Sequence, residues 1–456
     1  MSAVDERELV SLALSRARAD GADAADAVLA ASDSLETRVR GEEIDFVVQS
    51  RQRTLGLRAL VRGPAGTRSA ITSTSDLSPQ AVERMAAETV ALARATAEDP
   101  AAGLPEGGFA APGDTGAGLG LWAPEDRSVS VEARIEDARA AEAAARARDP
   151  RIVNSEGSSA GSDFRRVVYG NSAGFLSGYE SATHSLVCEP LARQNGAMQR
   201  DSWLSVGRRL AALESPAAVG RRAAERALRR LGARSVPTCE VPVIFDALTA
   251  PSLLAQLAGC ASGYAVYRKA TFLAGKLGEA IASPLLTAVD DGRLPGGLGT
   301  RPFDGEGLPT RRNLLLERGR LASWLLDSYS ARKLGTTSTG NASRSAGSAP
   351  GVAPTNLWLE PGTRTLEQIV ADTPRGLLVT ELIGMGFNPV TGDYSRGAAG
   401  LWIEGGEITH PVEEVTIAGN LGQMLRDIDA VGSDLLWLGR IASPSLRVAR
   451  MTVAGH

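Results

Sequence analysis

The chain has 456 residues, of which 43% are apolar and 22% charged, and its formal net charge is −4. A chain of this length predicts about three domains of about 150 residues each, with ample apolar surface for a core. The mixed charges and the 4% aromatic content give no basic face and no base-stacking platform, so no nucleic-acid partner is predicted.

Targeting signals and cysteine usage point to the cytoplasm. The first ten residues, MSAVDERELV, are acidic and lack the basic and apolar regions of a signal peptide. No apolar run approaches the roughly 18 residues of a membrane-spanning helix, so no membrane partner is predicted. Cys188, Cys239 and Cys260 are an odd number of thiols without an export signal, and no disulfide framework is expected.

Residues 1–98 are predicted to form an N-terminal α+β domain. Apolar residues at helical spacing predict a helix over residues 5–19, and a Ser-Pro start predicts a second helix over 78–97. Strand-like patterns lie between these helices, at 25–31, 35–40 and 53–62.

Residues 99–234 are predicted to form a middle α+β segment. It opens with a Gly/Pro/Ala-rich stretch at 99–123, which indicates an irregular connection. Helices are predicted over 131–148 and 215–232. Strand-like runs separated by Gly, Asn and Ser between 151 and 204 indicate antiparallel sheet.

Residues 235–456 are predicted to form a β-rich C-terminal domain of antiparallel sheet. A strand at 240–245 and a helix at 251–260 open this domain, and many short strand-like runs follow them. The chain is therefore assigned to the α+β class, as a two-part protomer with an α+β N-terminal part and a β-rich C-terminal domain.

The stretch 380–420, TELIGMGFNPVTGDYSRGAAGLWIEGGEITHPVEEVTIAGN, is rich in turn residues between strand-like runs. Such a pattern predicts a shaped loop system. Two interpretations stay open: tight turns in a β-rich domain, or polar side chains that line a cavity, bind an extended peptide at a sheet edge or contact another subunit. The side chains concerned are Asn388, Thr391, Asp393, Tyr394, Ser395 and Arg396.

This stretch resembles the C-terminal signature of the TldD/PmbA family. The match is closer to the PmbA branch, also called TldE, in which a run like GMGFNPVTGDYSRGAAG is typical. The resemblance extends more loosely over nearly the whole chain. It implies a two-part protomer that pairs with a TldD-like metallopeptidase subunit around an enclosed cavity.

In the TldD branch, the helix that matches 251–260 carries a His-Glu-x-x-x-His motif, which can bind zinc and activate water. The resemblance places the three motif positions on Ala255, Gln256 and Cys260. A methyl group, an amide and one thiol do not make a zinc site. TldD-like proteins also supply a cysteine near their C-terminus, whereas the matching segment 434–448 has none.

The resemblance therefore implies a subunit with no catalytic residue, metal or cofactor of its own, and zinc is expected in the TldD-like partner. The complex is expected to cleave unfolded or leader-type peptides inside the cavity. Whether the isolated chain is itself an enzyme is left open.

Two other functions stay open. The first is a stand-alone hydrolase recruited to peptide natural-product maturation, which would need chemistry from Cys260, Asp393, Tyr394 or His410. The second is a scaffold or binding homodimer, a state that the chain could also adopt without its partner. His410 lies in the same predicted domain as Cys260, so a site that joins them in space also stays open.

Other matches to catalytic motifs are predicted to be chance. His184, His410 and His456 have no second ligand at metal spacing and are predicted to be structural or surface residues. G-x-S-x-G occurs at 157–161 and 170–174, but without the strand-turn-helix context of a nucleophile. S-x-x-K at 330–333 lacks its companion motifs.

Overall fold

The computed structural model describes residues 5–41, 43–111 and 113–455, so His456 lies outside the described residues. The chain forms an α+β N-terminal part and a β-rich C-terminal domain, which confirms the predicted fold class. Within the described ranges, none of the helices has the length and apolar character needed to cross a membrane.

The N-terminal part is built on one antiparallel sheet. Its strands are β1 (Ala24–Arg40), β2 (Glu43–Arg62), β3 (Thr67–Thr74), β4 (Ile152–Asn171), β5 (Leu176–Gln194), β6 (Ala197–Arg200) and β7 (Trp203–Gly207). Their order is β3-β2-β1-β4-β5-β6, and β7 also pairs with β5. The two strands predicted at 25–31 and 35–40 are one continuous strand. The sheet joins strands from both of the first two predicted segments, 1–98 and 99–234.

Four helices cover one face of this sheet. They are α1 (Glu6–Ala19), α2 (Pro79–Arg94), α3 (Val131–Arg148) and α4 (Pro216–Leu228). Each begins after an Asp or Ser whose side chain accepts a hydrogen bond from a backbone N–H of the first turn. The residues of β1 that pack on α1 and α2 (Ala27, Leu29) and on α3 and α4 (Val39) are all odd-numbered, so both helix pairs lie on one face.

The opposite face of the sheet packs against the C-terminal domain. Val28 and Tyr169 of the sheet share a buried cluster with Phe303 and Ala346 of that domain. The buried carboxylate of Asp26 accepts hydrogen bonds from Arg58 in the sheet and from Arg344 in the C-terminal domain, the latter at 2.7 Å. An apolar cluster and a buried ion pair therefore fix the two parts to each other.

The C-terminal domain contains many short strands, as predicted. They are β8 (Cys239–Phe245), β9 (Ala288–Asp291), β10 (Arg312–Glu317), β11 (Arg320–Leu321), β12 (Ala342–Ser343), β13 (Gly351–Val352), β14 (Leu357–Leu359), β15 (Arg375–Ile383), β16 (Asp393–Glu404), β17 (Glu407–Asn420), β18 (Ile428–Val431), β19 (Ile441–Ala442) and β20 (Leu446–Ala454). Its short helices are α5 (Pro251–Cys260), α6 (Gly263–Tyr267), α7 (Ser328–Lys333), α8 (Leu366–Ala371) and α9 (Leu421–Arg426).

The main sheet of this domain has the order β17-β16-β15-β8-β20-β18, and β17 also pairs with β20. This extra pairing closes β17, β16, β15, β8 and β20 into a ring, which removes their free edges. The pair β8–β15 is parallel, unlike the antiparallel sheet that was predicted, because a long crossover separates the two strands in sequence. A smaller sheet of order β11-β10-β9-β14-β19 and the pair β12–β13 complete the domain.

Candidate functional site

Helix α5 carries the three positions that resemble a metal-binding motif. Leu253, Leu254 and Leu257 are buried and hold the helix in the core of the C-terminal domain. Ala255 is exposed and Gln256 is half-buried. The side-chain Oε1 of Gln256 is buried, and among the described residues it has no hydrogen-bond partner.

The thiol of Cys260 lies at the end of α5 and is 1% exposed. Burial raises the pKa of Cys260, and the interaction with the Thr271 hydroxyl offsets this only in part. The thiol is therefore protonated at neutral pH, whereas metal ligation and nucleophilic attack both require the thiolate.

These residues do not fit a zinc ion. Ala255 offers a methyl group, Gln256 an amide and Cys260 a protonated thiol, whereas zinc needs three or four nitrogen, thiolate or carboxylate ligands. Across the part of the chain that the structure describes, no three His, Cys, Asp or Glu residues are grouped to hold a metal. His410 lies on β17 opposite Trp402, with its Nδ1 3.0 Å from the Thr409 hydroxyl.

Within the stretch 380–420, residues 384–396 connect β15 to β16 and form the turn of a hairpin. We call residues 384–396 the signature hairpin. The Ser395 N–H donates to the Gly386 carbonyl at 2.8 Å, and the Asn388 N–H donates to the Asp393 carbonyl at 2.9 Å. A Cβ at Gly386 would lie 1.7 Å from the Ser395 carbonyl oxygen. Glycine is therefore required there by the close approach of the two arms.

Three of the six predicted site residues are used to shape the turn of this hairpin. The Asn388 side-chain oxygen accepts hydrogen bonds from the Val390 and Thr391 N–H groups. The Thr391 hydroxyl donates to the Asp393 carboxylate at 2.7 Å. Asn420, at the end of β17, donates to the Thr391 carbonyl at 2.8 Å. These contacts give the turn one defined shape.

The other three predicted site residues lie on β16. Tyr394 is 2% exposed, and burial raises the pKa of its hydroxyl to about 12, although the nearby Arg396 guanidinium lowers it. Ser395 is exposed and Arg396 is half-buried. The structure thus brings the six residues into one hairpin, and it buries the ring of Tyr394 inside the domain.

Three apolar side chains of this region are exposed, next to exposed polar ones such as Ser395. Ile383 is 56% exposed, Met385 94% and Val390 54%. We call these three residues the apolar tip. Exposed large apolar side chains are often found where a protein contacts another protein. The sequence pattern suggested polar side chains for this role, because it does not show which of them bond to the turn itself.

The signature hairpin also contacts the segment that follows α6. The Phe272 N–H donates to the Pro389 carbonyl at 2.8 Å, and the preceding residue, Thr271, interacts with Cys260. The signature hairpin and the end of α5 are therefore linked through residues 271–272. Residues that are far apart in sequence form one continuous region.

A second group of chemically interesting side chains, Ser162, His184 and Asp126, lies in the N-terminal part. The buried His184 has its Nδ1 2.9 Å from the Ser162 hydroxyl and its Nε2 3.4 Å from the Asp126 carboxylate. Ser162 and His184 are direct cross-strand neighbours on β4 and β5, and Asp126 accepts a hydrogen bond from the Leu210 N–H. Burial lowers the pKa of His184. Cross-strand pairing places Ser162 beside His184, and the hydrogen bond from Leu210 holds Asp126 in place. These structural contacts account for the grouping of the three side chains.

Comparisons with known proteins cover nearly the whole chain. The PmbA/TldA metallopeptidase family is matched in three parts: domain 1 at residues 25–93, the central domain at 124–231 and the C-terminal domain at 238–455. Metalloprotease PmbA of Escherichia coli O157:H7 is 39% identical over 457 residues, which cover 99% of this chain and 96% of that protein.

A more distant relative and a solved structure also match most of the chain or all of it. A Metalloprotease TldD homolog of Haemophilus influenzae is 27% identical over 353 residues, covering 72% of this chain and 73% of that protein. The crystal structure of a Bacteroides thetaiotaomicron protein, described as a candidate modulator of DNA gyrase, superposes with a TM-score of 0.91 at 28% identity. That superposition covers 100% of both chains.

Proposed function

Because this chain belongs to the PmbA/TldA metallopeptidase family, in its PmbA (TldE) branch, we propose that it is the non-catalytic subunit of a TldD–TldE-type metallopeptidase. The complex would pair it with a TldD-like subunit around an enclosed cavity. Its substrates would be unfolded or leader-type peptides, because a narrow enclosure admits extended chains and excludes folded proteins by size. The assembly would act in the cytoplasm.

The observation that carries this proposal is the chemistry of α5. At the positions where the TldD branch would place two imidazoles and a carboxylate, this chain has Ala255, Gln256 and Cys260. The buried Gln256 oxygen cannot take a proton from water at neutral pH, and the buried Cys260 thiol is not ionised. Zinc, and the activation of water that it supplies, would therefore belong to the partner subunit.

The apolar tip is the surface that we assign to the contact with the partner. Its three side chains are exposed, and hydrogen bonds of Asn388 and of Thr391 with Asp393 fix the neighbouring turn. A rigid surface loses little conformational entropy when it docks, which favours association. The signature hairpin also contacts Phe272, and the adjacent Thr271 interacts with Cys260 at the end of α5, so docking would bring the partner close to α5.

A charge introduced into the apolar tip tests this assignment. We expect Met385→Asp to weaken the complex with the TldD-like subunit about tenfold or more, because an unpaired carboxylate would be buried at the contact. Complex formation is measured by light scattering after co-expression, and peptidase activity is measured on an unfolded peptide. Met198→Asp on β6 is the matched control, since Met198 is also exposed, at 60%, but lies in the other part of the molecule.

Equal complex formation and equal activity in both aspartate variants would contradict the assigned contact. A separate measurement, the activity of the isolated chain, tests the proposed function itself. If the isolated chain hydrolyses peptides in the presence of a chelator and loses this activity in Cys260→Ala, it is a stand-alone hydrolase.

A further inference from the structure

A groove runs over the N-terminal sheet between the first residues of α1 and α3, where Glu6 and Val131 line it. Three cavities of about 620, 60 and 620 Å³ lie in a row along this groove. The first and second cavities share Arg127 and Phe164 in their walls, and the second and third share Glu6 and Arg166. The three cavities are therefore parts of one groove.

The register of the sheet accounts for the floor of the groove. One row of cross-strand neighbours runs from β2 to β5 through Arg53, Ala31, Arg166 and Glu180. Val168, two residues along β4 from Arg166, packs under α1 and α2, so this row lies on the face that carries the helices. Because neighbouring strands lie about 4.8 Å apart, the row spans about 14 Å, which is the length of about four extended residues.

The charges that remain unpaired along the groove are cationic. The carboxylates that line it all accept a hydrogen bond or an ion pair from the chain, and they are Asp5, Glu6, Asp33, Asp126 and Glu180. In contrast, Arg7, Arg53 and Arg209 are exposed, and among the described residues their guanidinium groups have no partner. Arg53 lines the second cavity, whereas Arg7 and Arg209 line the third. The groove therefore favours an anionic ligand that extends along it.

Arg127 is a pre-positioned cation in the middle of the groove. Its guanidinium carbon lies 5.0 Å from the centre of the Trp122 ring and 5.1 Å from that of Phe164. Its Nη2 donates a hydrogen bond to Glu180 at 3.1 Å, and its side chain is still 41% exposed. A guanidinium held in this way loses little conformational entropy when its other N–H groups bind a carboxylate.

We infer that this groove binds an extended peptide segment that carries several acidic side chains. A nucleic acid fits less well, because Glu6, Asp33 and Glu180 would repel the phosphate that every nucleotide carries. A peptide places a carboxylate at chosen residues only, and its backbone N–H groups can donate to the carboxylates of the floor. The groove lies on the sheet face opposite to the C-terminal domain, so the inference does not depend on the proposed peptidase role.

Two matched peptides test the class of ligand. Binding to the full-length chain is measured by fluorescence polarisation with a labelled peptide of alternating Glu and Ala, whose carboxylates lie on one side when it is extended. We expect this peptide to bind about tenfold or more tightly than the same peptide with Gln in place of Glu, and to bind less tightly at high salt. No binding of the Glu peptide, equal affinity for both peptides, or tighter binding of an oligothymidylate of equal length would overturn the inference.

Charge reversal at the two ends of the groove tests its location. We expect Arg53→Glu and Arg209→Glu each to weaken binding of the Glu peptide about tenfold or more, because a carboxylate would replace an unpaired cation. Arg221→Glu on α4 is the matched control and should bind like the wild type, since Arg221 is also exposed but does not line the groove. Thermal melting curves show whether each variant is folded. Folded Arg53→Glu and Arg209→Glu variants with the affinity of Arg221→Glu would also overturn the inference.

Discussion

Several buried carboxylates of the C-terminal domain have pKa values raised by burial. Burial, and then the neighbouring Asp304, raise the pKa of Glu306 to about 7. Glu306 is 1% exposed; its Oε2 accepts a hydrogen bond from the Ser328 N–H, and within the described ranges its Oε1 has no partner. Burial also raises the pKa of Asp304 and of Asp290.

These shifts predict that the protein loses stability as pH rises towards neutrality. Between pH 4.5 and about 7 the folded chain holds a proton on Glu306 that the unfolded chain has released. One such proton changes the free energy of unfolding by up to about 1.4 kcal/mol per pH unit, and that free energy falls as pH rises. We expect Glu306→Gln to flatten this slope in urea unfolding measured at pH 5, 6 and 7.

The exposed Glu360 supplies the control, since Glu360→Gln should keep the wild-type slope. Equal slopes in Glu306→Gln and wild type between pH 5 and 7 would show that Glu306 is ionised in the folded chain.

Asp26 affects stability in a different pH range. Although burial opposes its ionisation, Arg344 and Arg58 hold its pKa below the usual value, so its contribution is lost only as pH falls below 3.8.

Sequence alone located the residues of α5 but not the roles of the residues in the signature hairpin. The identities of Ala255, Gln256 and Cys260 are enough to exclude a set of zinc ligands in any backbone conformation. In contrast, Asn388 and Thr391 bond to their own turn, and the exposure of Met385 depends on how that turn packs. Such contacts follow from three-dimensional packing and cannot be derived from residue types.

At the scale of elements, the signature hairpin depends on one close approach of backbone to backbone. We expect Gly386→Ala to lower the free energy of unfolding by about 1–3 kcal/mol, because the added methyl group would overlap the Ser395 carbonyl. Urea unfolding measures the change. Gly439→Ala is the control, since a Cβ there has no atom of the described residues within 4 Å. Equal effects of the two substitutions would show that the signature hairpin tolerates a side chain.

Helices were predicted well because their caps and apolar spacing are local. Asp5, Ser78 and Ser215 begin α1, α2 and α4 within a residue of the predicted starts. Strand partners were not predictable in this way. The parallel pairing of β8 with β15 and the closure of β17 on β20 join segments that are distant in sequence, and strand patterns alone do not choose between partners.

At the scale of the whole molecule, the two parts differ in whether the edge strands of their main sheets are paired. Five strands of the C-terminal sheet close into a ring, whereas within the described residues the stretch 43–54 of β2 is paired on one side only. The contact between subunits is assigned, in our proposal, to the apolar tip of the C-terminal domain.

The central claim, that this chain has no zinc site of its own, is tested most directly by metal analysis. Zinc is measured by mass spectrometry on the chain purified alone and on the chain co-expressed with a TldD-like subunit. Our account predicts no zinc in the isolated chain, and stoichiometric zinc together with peptidase activity in the mixed complex only. Stoichiometric zinc bound to the isolated chain would contradict it, and the ligands would then be sought around Cys260 and His410.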